Sequence, residues 1–337
     1  MAASRDQLLR ELLLLSSKTH LYPSCLTFSD VKRSKKAVAP GRFGEVYRGS
    51  IHERPVALKI FKVYCQNDFQ KITKAVSKEA ILWGQLDHRN ILPLYGLCNP
   101  IGSQYFGMVF PWMENGNVLH YLKANRSVNR LSLVSDVAQG VSYLHEQRIV
   151  HGDLKGMNIL VTESGHACLT DFGLASLIER TEIVSWTSVQ RVANHSDMIR
   201  WQAPECFRDP ENNVSPYVTT HADMWAFACV CYEITTGNVP FYEYSRDTTV
   251  LKQLTTGQKP SKPAPDSDAF TTFGLTEDLW SLMDRCWSPQ PQSRPTAREV
   301  LDSEPLHIQR DSRPQFRWDV KGSRFRLGVK QWIAVSQ

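Results

Sequence analysis

The sequence predicts an α+β chain of two lobes, a small β-rich lobe with one main helix followed by a larger helical lobe. Three observations predict it. Short apolar runs bounded by turn residues follow residue 36, whereas apolar residues at helical spacing dominate from Asn117 onward. Pro100 and Pro111 punctuate the junction between these halves. The 337 residues, 42% hydrophobic and 22% charged, suffice for a large core and exclude a disordered, collagen-like or coiled-coil chain.

The elements follow in order. Gln7 to Leu15 is leucine-rich, but Arg10 and Glu11 interrupt it and leave an uncharged apolar run of four, too short for secretion or for spanning a bilayer. Leu8, Leu12 and Leu15, with Leu9 and Leu13 beside them, predict an amphipathic helix that packs on the protein or on a partner. Phe43 to Tyr47 and Pro55 to Ile60 read as a hairpin. Residues 67–86 read as a helix, and two short runs follow, Leu92 to Leu97 and Tyr105 to Phe110. Val134, Val137, Ala138, Val141 and Leu144 recur at the helical period and predict a helix over 131–147. Residues 222–236 are apolar nearly all round and predict a buried central helix, and Leu279, Leu282, Met283 and Cys286 mark another. The domain boundaries expected are an N-terminal extension over 1–29, a domain over 30–302 (lobes about 30–110 and 114–302) and a basic extension over 303–337.

The formal net charge is +5, and residues 303–337 carry seven basic against three acidic residues, four of the five net charges. The rest of the chain is near neutral, so no nucleic-acid partner is expected. The eight cysteines contain no C-x-x-C, and most lie in apolar contexts such as Ala228-Cys229-Val230-Cys231. They read as buried hydrophobes of a reducing compartment, without zinc spacing, and a soluble, cytoplasmic protein with no membrane span is expected.

Five segments carry chemistry. In Ala39-Pro40-Gly41-Arg42-Phe43-Gly44-Glu45-Val46, two glycines three apart let backbone N–H groups approach an anion. Alone this pattern is also an ordinary glycine turn. Pro55-Val56-Ala57-Leu58-Lys59-Ile60 places a lysine on the next strand, within reach of phosphates bound beneath the glycines, and Glu79 could hold its ammonium. His151-Gly152-Asp153-Leu154-Lys155-Gly156-Met157-Asn158 sets a carboxylate, an ammonium and an amide between apolar runs. Burying them is costly unless they serve one another or a ligand. Asp171-Phe172-Gly173 follows, then Arg200-Trp201-Gln202-Ala203-Pro204-Glu205 with Asp223 and Arg294 beyond.

In this order, the segments resemble the eukaryotic protein kinase domain, over about residues 30–302, and most closely its tyrosine-kinase-like group, Ser/Thr type. The resemblance implies the two-lobed protein kinase fold and transfer of the γ-phosphoryl group of ATP, with Mg²⁺, to protein substrates. It also implies the site. Gly41, Arg42, Phe43 and Gly44 would cover the triphosphate, and Lys59, held by Glu79, would grip the α- and β-phosphates. Asp171 and Asn158 would coordinate Mg²⁺. Asp153 would accept the hydroxyl proton, and Lys155 would stabilise the transferring group. Val38, Val46, Ala57 and Leu160 would enclose the adenine. Phe110 would be the gatekeeper, and Pro111-Trp112-Met113 the hinge, with Met113 supplying the donor that Pro111 lacks. Glu205 and Arg294 would pair, Asp223 would brace the catalytic loop, and His151, Phe172, Trp83 and Leu94 would be packing residues.

Three positions depart from the family pattern. Ala39 replaces the first glycine of the loop, and Gly152 replaces the arginine that receives an activation-loop phosphate, so that switch is expected to be absent. Thr181, Ser185, Thr187, Ser188 and Ser196 remain candidate phosphosites. Met198 replaces a Thr or Ser that bonds the base and the lysine, and predicts reduced turnover. A pseudokinase scaffold is therefore the alternative reading. A small-molecule kinase is a third, opposed by Ala203-Pro204-Glu205 and Arg294. Lys155 favours Ser/Thr over Tyr acceptors, and Met157 gives no support for basic substrates. In the tail, Phe316-Arg317-Trp318 and Arg324-Phe325-Arg326, with a turn at Lys321-Gly322, read as a docking strip, as a weak acidic-surface or nucleic-acid contact, or as a solvated or loosely packed extension.

Overall fold

The computed structural model describes residues 5–19, 26–28, 31–41, 44–61, 76, 79–98, 106–171, 176–177, 196–207, 219–307 and 311–318. The chain forms two compact units. One comprises Met1–Asp87, Leu92–Met113 and Arg317–Gln337, and the other His88–Ile91 and Glu114–Phe316.

The first unit is built on a seven-stranded sheet of β1 (Thr27–Phe28), β2 (Lys32–Arg33), β3 (Ala39–Gly41), β4 (Gly44–Ile51), β5 (Arg54–Phe61), β6 (Gly96–Cys98) and β7 (Phe106–Pro111). Its order is β1-β6-β7-β5-β4-β2, with β3 on β4. The expected hairpin is β4–β5, closed by His52 and Glu53, both at positive φ (46° and 65°). Two left-handed residues suit the right-handed twist of a tight hairpin. Register assigns the faces. Tyr47 pairs Leu58, Leu58 pairs Val109, and these pack with Phe28, Ile51, Val56, Ile60 and Cys98 as the core of the unit. Because side chains alternate, Val46, Ala57, Lys59, Met108 and Phe110 take the other face.

Three expectations in this unit are corrected. Helix α1 (Arg5–Thr19) forms, but its buried positions include Leu13 (6% exposed) and Ser16, whereas Leu15 is 59% exposed. Six of the eight residues from Leu8 to Leu15 are leucine, so spacing alone does not select the packed face. The expected strand over 92–97 is shorter: only Gly96–Cys98 is strand, and Ile91 makes an isolated bridge to Leu169. Of the expected helix over 67–86, residues 67–75, 77 and 78 lie outside the described part. Its end, α2 (79–83), stops at Trp83 and turns at Gly84-Gln85.

The second unit contains α3 (Val118–Ala124), α4 (Arg130–Glu146), β8 (Ile149–Val150), β9 (Ile159–Val161), β10 (Ala167–Leu169), β11 (Ser176–Leu177), α5 (Thr220–Thr236), α6 (Asp247–Thr255), α7 (Asp268–Thr271), α8 (Glu277–Cys286) and α9 (Ala297–Leu301). Helix α5 is its axis, buried from Ala222 to Thr235 and packed on α4 and α8. Thr219 caps its N-terminus, and Gly237, at φ +77°, ends it. The cysteines Cys98, Cys168, Cys229, Cys231 and Cys286 are buried, and burial raises every one of these thiols above the usual range. Among the described residues, no helix is long and apolar enough to cross a membrane.

Candidate functional site

In the first unit, the face opposite the core carries the expected nucleotide-binding set. Val46 pairs Lys59, and Ala57 pairs Phe110, so the four share one patch. Val46 and Ala57 are half-buried, and Val38 is exposed. Lys59 is only 7% exposed, with its ammonium 5.9 Å from the centroid of the Phe61 ring. A lysine is rarely buried unless paired. Glu79 is half-buried on α2. Phe110 is buried against Trp83 of the same helix, ring centroids 4.8 Å apart, and the Trp83 indole donates to the Leu92 carbonyl at 2.6 Å. After Phe110, Pro111 ends β7 opposite Val56, and Arg48 lies over the Trp112 ring at 5.1 Å. Met113 is half-buried.

Gly41 pairs Gly44 where β3 meets β4. A Cβ on Gly44 would lie 1.9 Å from the Ile60 carbonyl oxygen, so the passage of β5 already requires a glycine there. Arg42 and Phe43 lie outside the described residues, as do Phe172 and Gly173. So do Thr181, Ser185, Thr187 and Ser188. For Ser196 and Met198 only the backbone is described.

In the second unit, the loop between β8 and β9 folds its polar groups onto one another. The Asp153 carboxylate is held from both sides: Lys155 Nζ is 3.1 Å from Oδ1, and Asn158 Nδ2 donates to Oδ2 at 2.9 Å. The same amide donates to the Asp153 carbonyl at 2.7 Å. The Asp153 N–H donates to His151 Nδ1 at 3.2 Å. His151 is fully buried, and burial pushes its pKa below the usual imidazole range, so it serves as a neutral acceptor.

A second layer comes from α5 and α4. Asp223 accepts the N–H groups of His151 at 2.8 Å and Gly152 at 2.9 Å, and His145 Nε2 lies 2.9 Å from the same carboxylate. The expected brace is therefore present, and His145 adds to it. Gly152 sits at φ +75°, a conformation that costs a side-chain-bearing residue but not glycine. Glu233, 1% exposed, accepts the Gly156 N–H at 2.7 Å and the Trp201 indole N–H at 2.8 Å through Oε2. Its Oε1 is buried with no hydrogen-bond partner, and burial raises its carboxyl to about 7. The expected Glu205–Arg294 pair is bidentate, at 2.6 and 2.8 Å, and Arg200 donates to the carbonyls of Phe241 and Tyr244.

Sequence reasoning missed Glu233 and His145. The signal for Glu233 was a carboxylate in the apolar C-terminal half of α5, which has to find donors when buried.

Asn158 precedes β9 and Asp171 follows β10. The Thr170 N–H donates to the Asn158 carbonyl at 3.0 Å, so both residues leave the hairpin at one end. Asp171 is half-buried with φ +61°, a strained backbone of the kind found at functional sites. Both hydrogens of the Asn158 amide are taken by Asp153, which turns its oxygen away from that residue. One amide oxygen and one carboxylate are hard ligands, and a pair of them suits Mg²⁺, which completes its shell with phosphates and water. Leu160, half-buried on β9, pairs Cys168 on β10.

Residues 33–303 match the family described as protein tyrosine and serine/threonine kinase. The chain is similar to serine/threonine-protein kinase STY17 of Arabidopsis thaliana, 29% identical over 85% of this chain and 48% of that protein. It is also similar to serine/threonine-protein kinase TNNI3K of Mus musculus, 28% identical over 85% of this chain and 32% of the relative. Proto-oncogene tyrosine-protein kinase ROS of Homo sapiens is 31% identical over 78% of this chain and 11% of its own length. The matched region thus spans half or less of each of these relatives.

Proposed function

Because the chain belongs to the protein tyrosine and serine/threonine kinase family, we propose that it transfers the γ-phosphoryl group of ATP to serine and threonine hydroxyls of proteins. One observation carries the reading: Asp153 is oriented by both Lys155 and Asn158, and Asp171 leaves the β9–β10 hairpin at the end where Asn158 enters it. Two of the relatives named above are serine/threonine kinases, and Lys155 belongs to the Ser/Thr form of the loop. Residues 30–302 would form the catalytic domain, with 1–29 and 303–337 as extensions and an intracellular site of action.

Phosphoryl transfer needs positioning and charge neutralisation more than covalent help. Lys59 would hold the α- and β-phosphates, with Glu79 as its partner, and Val38, Val46, Ala57 and Leu160 would contact the adenine. The backbone from Gly41 through Arg42 and Phe43 to Gly44 would cover the phosphates. Phe110 would close the back of the base site, with Pro111 and Met113 offering a carbonyl and an N–H along its edge. Asn158 and Asp171 would hold Mg²⁺, which supplies positive charge to the phosphate oxygens when bound. Asp153 would orient the substrate hydroxyl and take its proton at the carboxylate. Lys155, now on Asp153, would stabilise charge on the transferring group.

The test is incubation of the purified chain with ATP labelled at the γ-position and Mg²⁺, with itself and general protein substrates as acceptors, followed by phosphoamino-acid analysis. Phosphoserine and phosphothreonine are expected. ATP binding without any transfer would favour the scaffold reading raised by Gly152 and Met198.

A further inference from the structure

Arg313 and Phe316, in the described part of the basic C-terminal extension, pack on the second unit. Asp136 on α4 is 0% exposed. Its Oδ2 accepts the Ala167 N–H at the start of β10 (2.8 Å) and Arg313 Nη1 (2.6 Å). Its Oδ1 accepts Arg313 Nη2 at 3.2 Å and lies 3.7 Å from Arg89 Nη2. Arg313 Nη1 also donates to the Gly165 carbonyl at 2.9 Å, in the turn between β9 and β10. Asp311 fixes the guanidinium from its other side, at 2.9 and 2.8 Å, and is held well below the usual carboxylate range, at about 2, chiefly by that contact. Phe316 stacks on the buried His166 of the same turn, centroids 5.7 Å apart.

The β9–β10 hairpin is a ladder of three pairs. At its open end stand Asn158 and Asp171, and at its turn end stand Gly165, His166 and Ala167, which the tail and Asp136 grip. We propose that the segment Asp311–Phe316, beyond the family match, is a strap that positions the Asn158–Asp171 pair for its divalent cation, with Arg313 as the positioning residue. The proposal rests on the reading of Asn158 and Asp171 as the metal ligands. Mg²⁺ and its analogues demand near-ideal octahedral geometry, so a small tilt of so short a hairpin is felt at the ion. Removing the groups that orient ligands in this way weakens metal binding by about tenfold or more.

The experiment uses the full chain with ADP and Mn²⁺ as the probe, free Mn²⁺ being read by electron paramagnetic resonance well below the melting temperature. Arg313→Ala is expected to weaken Mn²⁺ binding about tenfold, and Arg313→Lys to recover part of the loss. Metal-free ADP affinity stays unchanged in both. Phe316→Ala removes the stacking contact with His166 and leaves no buried charge. It is expected to weaken Mn²⁺ binding in the same direction, and it decides the matter if Arg313→Ala does not fold. Lower melting temperatures with unaltered Mn²⁺ affinity in Phe316→Ala and Arg313→Lys would overturn the proposal, leaving the strap purely structural. If Asn158→Ala and Asp171→Ala also leave Mn²⁺ binding unchanged, the failure lies in the ligand reading itself.

Discussion

The side-chain amide of Asn158 gives both its hydrogens to one residue, Asp153, at the backbone carbonyl (2.7 Å) and at carboxylate Oδ2 (2.9 Å). A single amide thus fixes the rotamer of the proposed base and aims its own oxygen elsewhere. Asn158→Ala should loosen both roles at once. The expected outcome is a fall in kcat of about 100-fold or more, on the scale of losing general-base positioning. The KM for the protein substrate should change little, and steady-state kinetics with a peptide acceptor check this.

Gly152 is held at φ +75° by its N–H bond to Asp223. A residue with a Cβ carries a penalty of roughly 1–2 kcal/mol in the left-handed region. Gly152→Ala should therefore lower stability by about 1 kcal/mol. Gly152→Arg, which restores the family residue, should lower it by a similar amount. Urea denaturation read by tryptophan fluorescence measures both, and an unchanged midpoint would contradict the assignment of strain.

Arg294 is 3% exposed and meets Glu205 through two short bonds, with further bonds to the Ser288 and His221 carbonyls. Glu205→Ala leaves that guanidinium buried without its counter-charge, a loss of roughly 3–5 kcal/mol. Calorimetry should record a large drop in Tm for Glu205→Ala. The double replacement of Glu205 and Arg294 by apolar residues of similar volume should recover part of it.

Glu233 gives a pH dependence. Burial raises its carboxyl from 4.5 to about 7, against the opposing pull of Gly156, Trp201 and Lys155. A raised carboxyl means that the folded chain holds the proton more tightly than the unfolded one. Its contribution to stability is complete below the unfolded value and is lost as pH rises through about 7. In Glu233→Gln, the amide oxygen can accept from Gly156 and Trp201 without ionising. The Tm of the variant minus that of wild type should therefore grow from about pH 5 to about pH 8. A difference that stays constant over this range would contradict the assignment.

What the sequence made legible has a physical pattern. The catalytic loop could be read because its polar groups are packed between apolar runs and satisfy one another locally, as Asp153, Lys155 and Asn158 do within six residues. The β4–β5 hairpin was readable from its two apolar runs and the turn between them, and α5 from its continuous apolar surface. The burial of Lys59 was not, since a strand lysine ordinarily marks the solvent side. Nor was the role of Arg313, whose partner Asp136 lies 177 positions away: a single chain does not announce which buried carboxylate a distant guanidinium will meet. The packed face of α1 was misjudged because six of the eight residues from Leu8 to Leu15 are leucine, so spacing does not single out one face. Gly44 fits the phosphate-loop motif, yet the Ile60 carbonyl imposes the same residue, so a motif glycine can carry two constraints at once.

The most direct test of the central claim compares wild type with Asp153→Ala in transfer from γ-labelled ATP, with nucleotide binding measured on the same preparations. Labelled phosphoserine and phosphothreonine are expected with wild type, and a loss of about 100-fold or more in Asp153→Ala with nucleotide affinity retained. Equal labelling by the two proteins, or none by a wild type that binds ATP, would contradict the claim.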